Sequence, residues 1–262
     1  MTRPLRDVVV HPDADVLAQA TAARLLTALL DAQSHHRPVH VVLTGGTVGT
    51  RTLAEVAASP VRAAVDWTGV HLWWGDERFV PAGHADRNDT GAREALLDPL
   101  GDLLPAANVH AVPGPDAVAT PEDAARAYAE ELAAHAPAGG ALPVLDVLLL
   151  GMGPDGHVAS LFPGHPGLDV TGRTTTGVEG SPKPPPLRVS LTFEAIRSAR
   201  EVWVVAAGAE KADAVAAALG DGPVTQVPAA GALGQERTLW LVDLAAAGTA
   251  VPAPADGLPA SA

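Results

Sequence analysis

Leu145-Asp146-Val147-Leu148-Leu149-Leu150-Gly151-Met152-Gly153-Pro154-Asp155-Gly156-His157 opens on an aliphatic run and ends in a glycine-rich stretch. A short apolar run bounded by breakers reads as a parallel strand buried on both faces. The device recurs. Strands are expected near Val8 to Val10, Val39 to Leu43, Val70 to Trp74, Leu145 to Leu150, Val202 to Val205 and Leu239 to Val242, with Val109 to Val112 and Leu187 to Leu191 as secondary candidates. Between them, Asp13 to Ala32 carries Val16, Ala20, Ala23, Leu26 and Leu30 at spacings of three and four, the stripe of an amphipathic helix. Helices also fit Thr50 to Ala58, Thr90 to Leu97, Pro121 to Ala134 and Ala209 to Leu219. Repeated β-α-β alternation with right-handed crossovers predicts an α/β fold: a Rossmann-like, doubly wound, mostly parallel sheet with helices on both faces.

The 262 residues are enough to bury a sizeable core, and 47% of them are apolar while only 3% are aromatic, so that core is built from Val, Leu and Ala. One domain is expected over residues 1–244, followed by an Ala/Pro/Gly tail at 245–262 with too few bulky side chains to fold. Residues 172–186, Gly-Arg-Thr-Thr-Thr-Gly and later Ser-Pro-Lys-Pro-Pro-Pro, are dense in breakers and read as a loop over a site.

Charge narrows the function classes. A formal net charge of −13 argues against nucleic-acid and acidic-membrane partners, which require arrayed Lys and Arg. With no cysteine, disulfides, zinc–thiolate sites and thiol nucleophiles are out. The apolar run near the first residues is shorter than a signal-peptide core, and no later run reaches membrane-spanning length, so a cytoplasmic location is expected.

Four clusters fall where strands end, the edge at which open α/β sheets bind ligands. Thr44-Gly45-Gly46-Thr47 follows a strand and precedes a helix, so its N–H groups either cradle a phosphate or make a tight turn that binds nothing. Gly75-Asp76-Glu77-Arg78-Phe79-Val80-Pro81, with Asn88 beyond, holds three charges between Trp74 and Phe79. A solvated face is one reading; the other turns at least one charge into a cleft, with Asp76 and Arg78 pairing. Gly151-Met152-Gly153-Pro154-Asp155-Gly156-His157 contains G-x-G-x-x-G, but its mid-chain place and the lack of a strand-ending acid downstream argue against a dinucleotide site. A helix starting after Gly156 would keep His157 neutral and fit to take a proton from water; the alternative is a structural histidine. Arg188 and Lys211 complete the set, as phosphate partners or as ordinary surface cations.

In these motifs, Thr-Gly-Gly, Asp-Glu-Arg-Phe-Val-Pro with its Asn, Gly-Met-Gly-Pro-Asp-Gly-His-Val-Ala-Ser-Leu-Phe-Pro and Gly-x-x-Lys, the sequence resembles the 6-phosphogluconolactonase family from about Val8 to Leu244. The resemblance implies the fold shared with glucosamine-6-phosphate deaminases, ribose-5-phosphate isomerases and CoA transferases, without cofactor or catalytic metal. It also implies hydrolysis of 6-phosphogluconolactone to 6-phosphogluconate in the pentose phosphate pathway. His157, Asp76 and Arg78 would be catalytic, with Asp76 orienting Arg78 or the water. Thr44, Gly45, Gly46, Gly153, Asp155, Gly156, Arg188 and Lys211 would hold the substrate and its phosphate. The partner would be the small sugar-phosphate lactone, and the chain a monomer or weak homo-oligomer. Thr47-Val48-Gly49 departs from the family's Ser or Thr followed by Pro, which puts the first loop's geometry in question.

Two rivals within the fold remain. An amino-sugar phosphate deaminase would place a catalytic Glu just after the histidine, where this chain has Ser160-Leu161-Phe162-Pro163. A non-catalytic sugar-phosphate sensor would carry a DNA-binding module. Serine catalysis is disfavoured because no G-x-S-x-G occurs and Ser160 is expected in a helix. Metal hydrolysis is disfavoured because H-E-x-x-H is absent and His35-His36 has no carboxylate near it in sequence.

Overall fold

A computed structural model describes residues 6–220 and 222–248. Its strands are β1 Arg6–His11, β2 Val39–Leu43, β3 Val70–Trp74, β4 Asp76–Arg78, β5 Leu145–Gly151, β6 Thr175–Val178, β7 Arg188–Leu191, β8 Glu201–Ala206 and β9 Arg237–Asp243. The α-helices are α1 Ala14–His35, α2 Gly46–Ala58, α3 Asn88–Ala92, α4 Asp98–Leu100, α5 Pro121–Ala134, α6 Phe193–Ile196, α7 Ala212–Leu219 and α8 Leu244–Ala247, with a π turn at Arg93–Leu97 between α3 and α4. Six strands form one sheet in the order β1-β9-β8-β5-β2-β3, and every pairing in it is parallel.

Local chemistry accounts for the elements. The Asp13 carboxylate accepts from the N–H groups of Asp15 and Val16 at 2.9 and 2.8 Å and starts α1. Thr120 caps α5 through the Asp123 N–H, with Pro121 in the first turn. Strand β2 is buried at all five positions, as its unbroken Val-His-Val-Val-Leu requires. Leu148, Val202, Leu239 and Val42 lie in one apolar core, which also takes in Val189 and Leu191 of β7.

The sequence expectations are changed in several places. A second sheet, β4-β7-β6, is antiparallel and sits beyond the carboxyl end of β3. It overturns the reading of 172–186 as wholly irregular, because Thr175–Val178 pairs with β7. Val109 makes a single bridge to Leu72 rather than a strand. Helix α2 begins at Gly46 instead of position 50, which brings its N-terminus onto the Thr-Gly-Gly loop. After Gly156 there is no helix: the chain runs through turns held by bridges between Met152, Val158 and Leu161, so Ser160 is not helical and His157 does not begin a helix. His36 does have a carboxylate neighbour, its Nε2 lying 3.1 Å from Asp146 Oδ1, a pair brought together across the sheet. The tail expected at 245–262 begins instead with a helical turn, Leu244–Ala247, in which the N–H of Ala246 is capped by Asp243; its residues from 249 on lie outside the described residues. Among the described residues no helix is long and apolar enough to cross a membrane.

Candidate active site

The loops leaving β2, β3, β5 and β8 enclose a cavity of about 430 Å³. Thr44, Gly45, Gly46, Asp76, Arg78, Gly153, His157, Arg188 and Lys211 all line it. Asp155 and Gly156 are not in its wall.

At the β2 end, Gly45 precedes α2 and no side chain caps that helix, so its first N–H groups are left for a ligand. Glycine is required at 45 because an added Cβ would sit 1.7 Å from Asn88 Oδ1. Thr44 Oγ1 accepts from the Gly151 N–H at 2.9 Å and ties this loop to the end of β5. Lys211 stands at the same cavity; burial, opposed by Glu210 and Asp243, lowers its ammonium below the usual lysine range.

The three charges after β3 separate. Glu77 points into the protein, where its carboxylate accepts from the N–H groups of Arg78, Asn88 and Asp89 at 2.8, 2.7 and 2.9 Å. Burial pushes its pKa up to about 7, against the pull of Arg87 and those N–H groups. Asp76 and Arg78 reach the cavity, but they do not pair. Asp76 accepts from Ser160 Oγ at 2.6 Å and Asn88 Nδ2 at 3.3 Å, and lies 4.0 Å from Arg188 Nη1. Arg78 donates instead to the Asp86 carbonyl. The expectation that Asp76 orients Arg78 is therefore replaced by Asp76 beside Arg188. Arg188 donates to the carbonyls of Lys183, Pro184 and Pro185, and burial lowers its pKa.

His157 is placed by the turn that replaces the expected helix. Its Nδ1 lies 2.5 Å from Asp155 Oδ1, and its ring packs 4.6 Å from that of Phe162. Gly153 must be glycine, since a Cβ there would meet the imidazole at 2.1 Å. With Nδ1 committed to Asp155, Nε2 is the nitrogen left to exchange a proton. Burial works against the Asp155 charge, but the hydrogen bond and charge of His157, with Lys183, hold its carboxyl well below the usual range. Asp155 therefore touches the cavity only by way of the His157 ring.

Lys183 was missed by the sequence reading. Its Nζ lies 3.4 Å from both Asp155 Oδ1 and His157 Nδ1. The one signal was its place in the Ser-Pro-Lys-Pro-Pro-Pro stretch assigned to a loop over a site. Ser160, dismissed as a helical nucleophile, instead donates to Asp76.

Known proteins of similar sequence and fold place the chain in a family. A family model described as glucosamine-6-phosphate isomerases/6-phosphogluconolactonase matches residues 12–240. The chain is 55% identical over 244 residues to a 6-phosphogluconolactonase of Streptomyces coelicolor, covering 92% of this chain and 93% of that one. It is 44% identical over 242 residues to one of Mycobacterium leprae, covering 92% and 96%. A solved 6-phosphogluconolactonase structure from Trypanosoma brucei is similar at a TM-score of 0.81 and 30% identity, covering 94% and 98%.

Proposed function

Because the chain belongs to the glucosamine-6-phosphate isomerase/6-phosphogluconolactonase family, we propose that it hydrolyses 6-phosphogluconolactone to 6-phosphogluconate with His157 as the base. In this reading His157 Nε2 takes a proton from water as the oxygen attacks the lactone carbonyl carbon. Collapse of the tetrahedral intermediate breaks the bond from that carbon to the ring oxygen, and the imidazolium returns the proton to that oxygen. Arg78 and Arg188 face the developing oxyanion, and Asp76 holds Arg188 in place. The N-terminus of α2 at Gly45 and Gly46, with Lys211, receives the phosphate.

The observation that carries this reading is Phe162. It stands five residues after His157, 1% exposed and against the imidazole, where an amino-sugar deaminase needs a carboxylate. A site with one activated imidazole and no second acid there suits addition of water to an ester. The test is to generate the lactone in a buffered assay and compare its loss with and without protein, since it also opens unaided, and to offer glucosamine 6-phosphate separately. Acceleration of lactone loss without ammonia release is expected. No acceleration, or ammonia release, overturns the assignment.

Two smaller effects follow. Lys211→Ala is expected to raise KM by about tenfold or more with kcat nearly kept, the loss of one charge-assisted contact worth about 1.5–3 kcal/mol made equally in ground and transition states. Asp155→Asn replaces an acceptor-only carboxylate by an amide that can donate to Nδ1 and hold the other His157 tautomer, and is expected to lower kcat by about tenfold or more at unchanged KM. Steady-state kinetics of the two variants separates the effects; a KM change in Asp155→Asn alone contradicts its positioning role.

A further inference from the structure

At the opposite edge of the sheet, His40 and His71 are register partners in the second positions of β2 and β3. His110 arrives beside them because its N–H donates to the Leu72 carbonyl at 2.9 Å, and Trp73 stacks on its ring at 3.8 Å and 9°. His135, just past the end of α5, brings a further imidazole 4.4 Å from that of His110. One nitrogen from each of His71, His110 and His135 lies within 4.8 Å of the others.

The hydrogen bonds around this cluster orient it. His110 Nδ1 is 2.8 Å from Glu131 Oε1, so a proton sits on that nitrogen and Nε2 turns its lone pair inward, where it accepts from His71 Nδ1–H at 2.9 Å, a hydrogen bond that a bound cation would replace. A carboxylate behind the far nitrogen of an imidazole is the usual support of a metal-bound histidine. His135 spends Nδ1 on the Glu131 carbonyl at 3.0 Å, which frees its Nε2. His40 is not available, because Trp73 Nε1 donates to its Nδ1 at 3.1 Å. Three imidazoles that converge with no acid among them but Glu131 form a nitrogen donor set. Ligand nitrogens about 2.0–2.1 Å from zinc lie roughly 3.3 Å apart in a tetrahedral shell, so ring shifts of about an ångström close this one.

We propose that His71, His110 and His135 bind a late first-row divalent cation of the zinc class, separate from the reaction site. Nitrogen-only donors select Zn²⁺ and its neighbours over Mg²⁺ or Ca²⁺, which take oxygen. The cation fastens the end of α5 to β3 and takes no part in ring opening.

The test uses the full chain, free of any affinity tag and stripped with chelator, titrated calorimetrically with Zn²⁺ and followed by visible absorption with Co²⁺. One Zn²⁺ per chain is expected, with the Co²⁺ bands of a four- or five-coordinate site. His135→Gln, at a partly exposed helix end, is expected to weaken binding at least about 100-fold, and Glu131→Gln about 10- to 100-fold. Lactone opening stays unchanged in both. No stoichiometric uptake by wild type overturns the proposal, and so does equal uptake by His135→Gln. Loss of binding in His157→Ala but not in His135→Gln would put the ion in the active-site cavity and overturn it equally. Because the readout is metal uptake, it is independent of whether the lactone is the substrate.

Discussion

Replacing His157 by alanine is expected to slow enzyme-dependent lactone opening by about 10²- to 10⁴-fold, the usual worth of a positioned general base. The size follows from how completely the imidazole is committed. Asp155 holds Nδ1, Phe162 supports the ring face, and Gly153 leaves room for the ring's edge. No other cavity-lining histidine can replace it. The fold should survive, because His157 sits on a turn outside the sheet and its loss deletes no core contact between strands. The rate must be measured above spontaneous opening, and the thermal midpoint recorded alongside. A variant that keeps wild-type activity and midpoint removes His157 from the chemistry.

Glu77→Ala is expected to cost about 3–5 kcal/mol of stability, the loss seen when one partner is taken from a buried charged network. Three backbone N–H groups and the Arg87 guanidinium, 3.8 Å away, would lose their acceptor in a site from which water is excluded. Denaturant titration at pH 7 checks the value; a loss below about 1 kcal/mol would mean that water or a side-chain rearrangement replaces the carboxylate. The pH dependence has a definite sign. Burial raises Glu77 from 4.5 to about 7, so the folded state holds a proton that the unfolded state has released. Its contribution to stability is then full below about pH 4.5 and declines as pH rises through 7. The penalty of Glu77→Gln should accordingly be larger near pH 5 than near pH 8.

The six parallel strands were legible because each is an aliphatic run with a breaker at its end, and burial on both faces leaves little alternative. Asp76, Arg78 and Lys211 could be placed at the cavity for the same reason, since they follow such runs, whereas Arg188 opens its own strand, β7, and was singled out only as a cation in an acidic chain. The second sheet was not legible. β4 is Asp-Glu-Arg, whose charges mask a strand, and its partner Ser190 is more than a hundred residues away from Asp76. β6 lies among prolines and glycines that read as loop. The turn carrying His157 was mistaken for a helix start because a glycine-rich segment after a strand has two continuations, and Met152 pairing with Val158 selects the one that periodicity does not reveal. The histidine cluster was equally hidden, since positions 71, 110 and 135 have no ligand spacing until β3 and α5 pack together.

Asn88 has a consequence beyond its bonds to Asp76. It packs on Gly45 so closely that no side chain fits between, while Thr44 is bolted to Gly151 and Asp76 to Ser160. Under the proposed function, the loop that would take the phosphate and the turn carrying His157 are thus tied into one frame. Such a frame would act as a gauge: if the proposal holds, a phosphorylated lactone one carbon shorter is expected to reach one end and miss the other, binding without being opened.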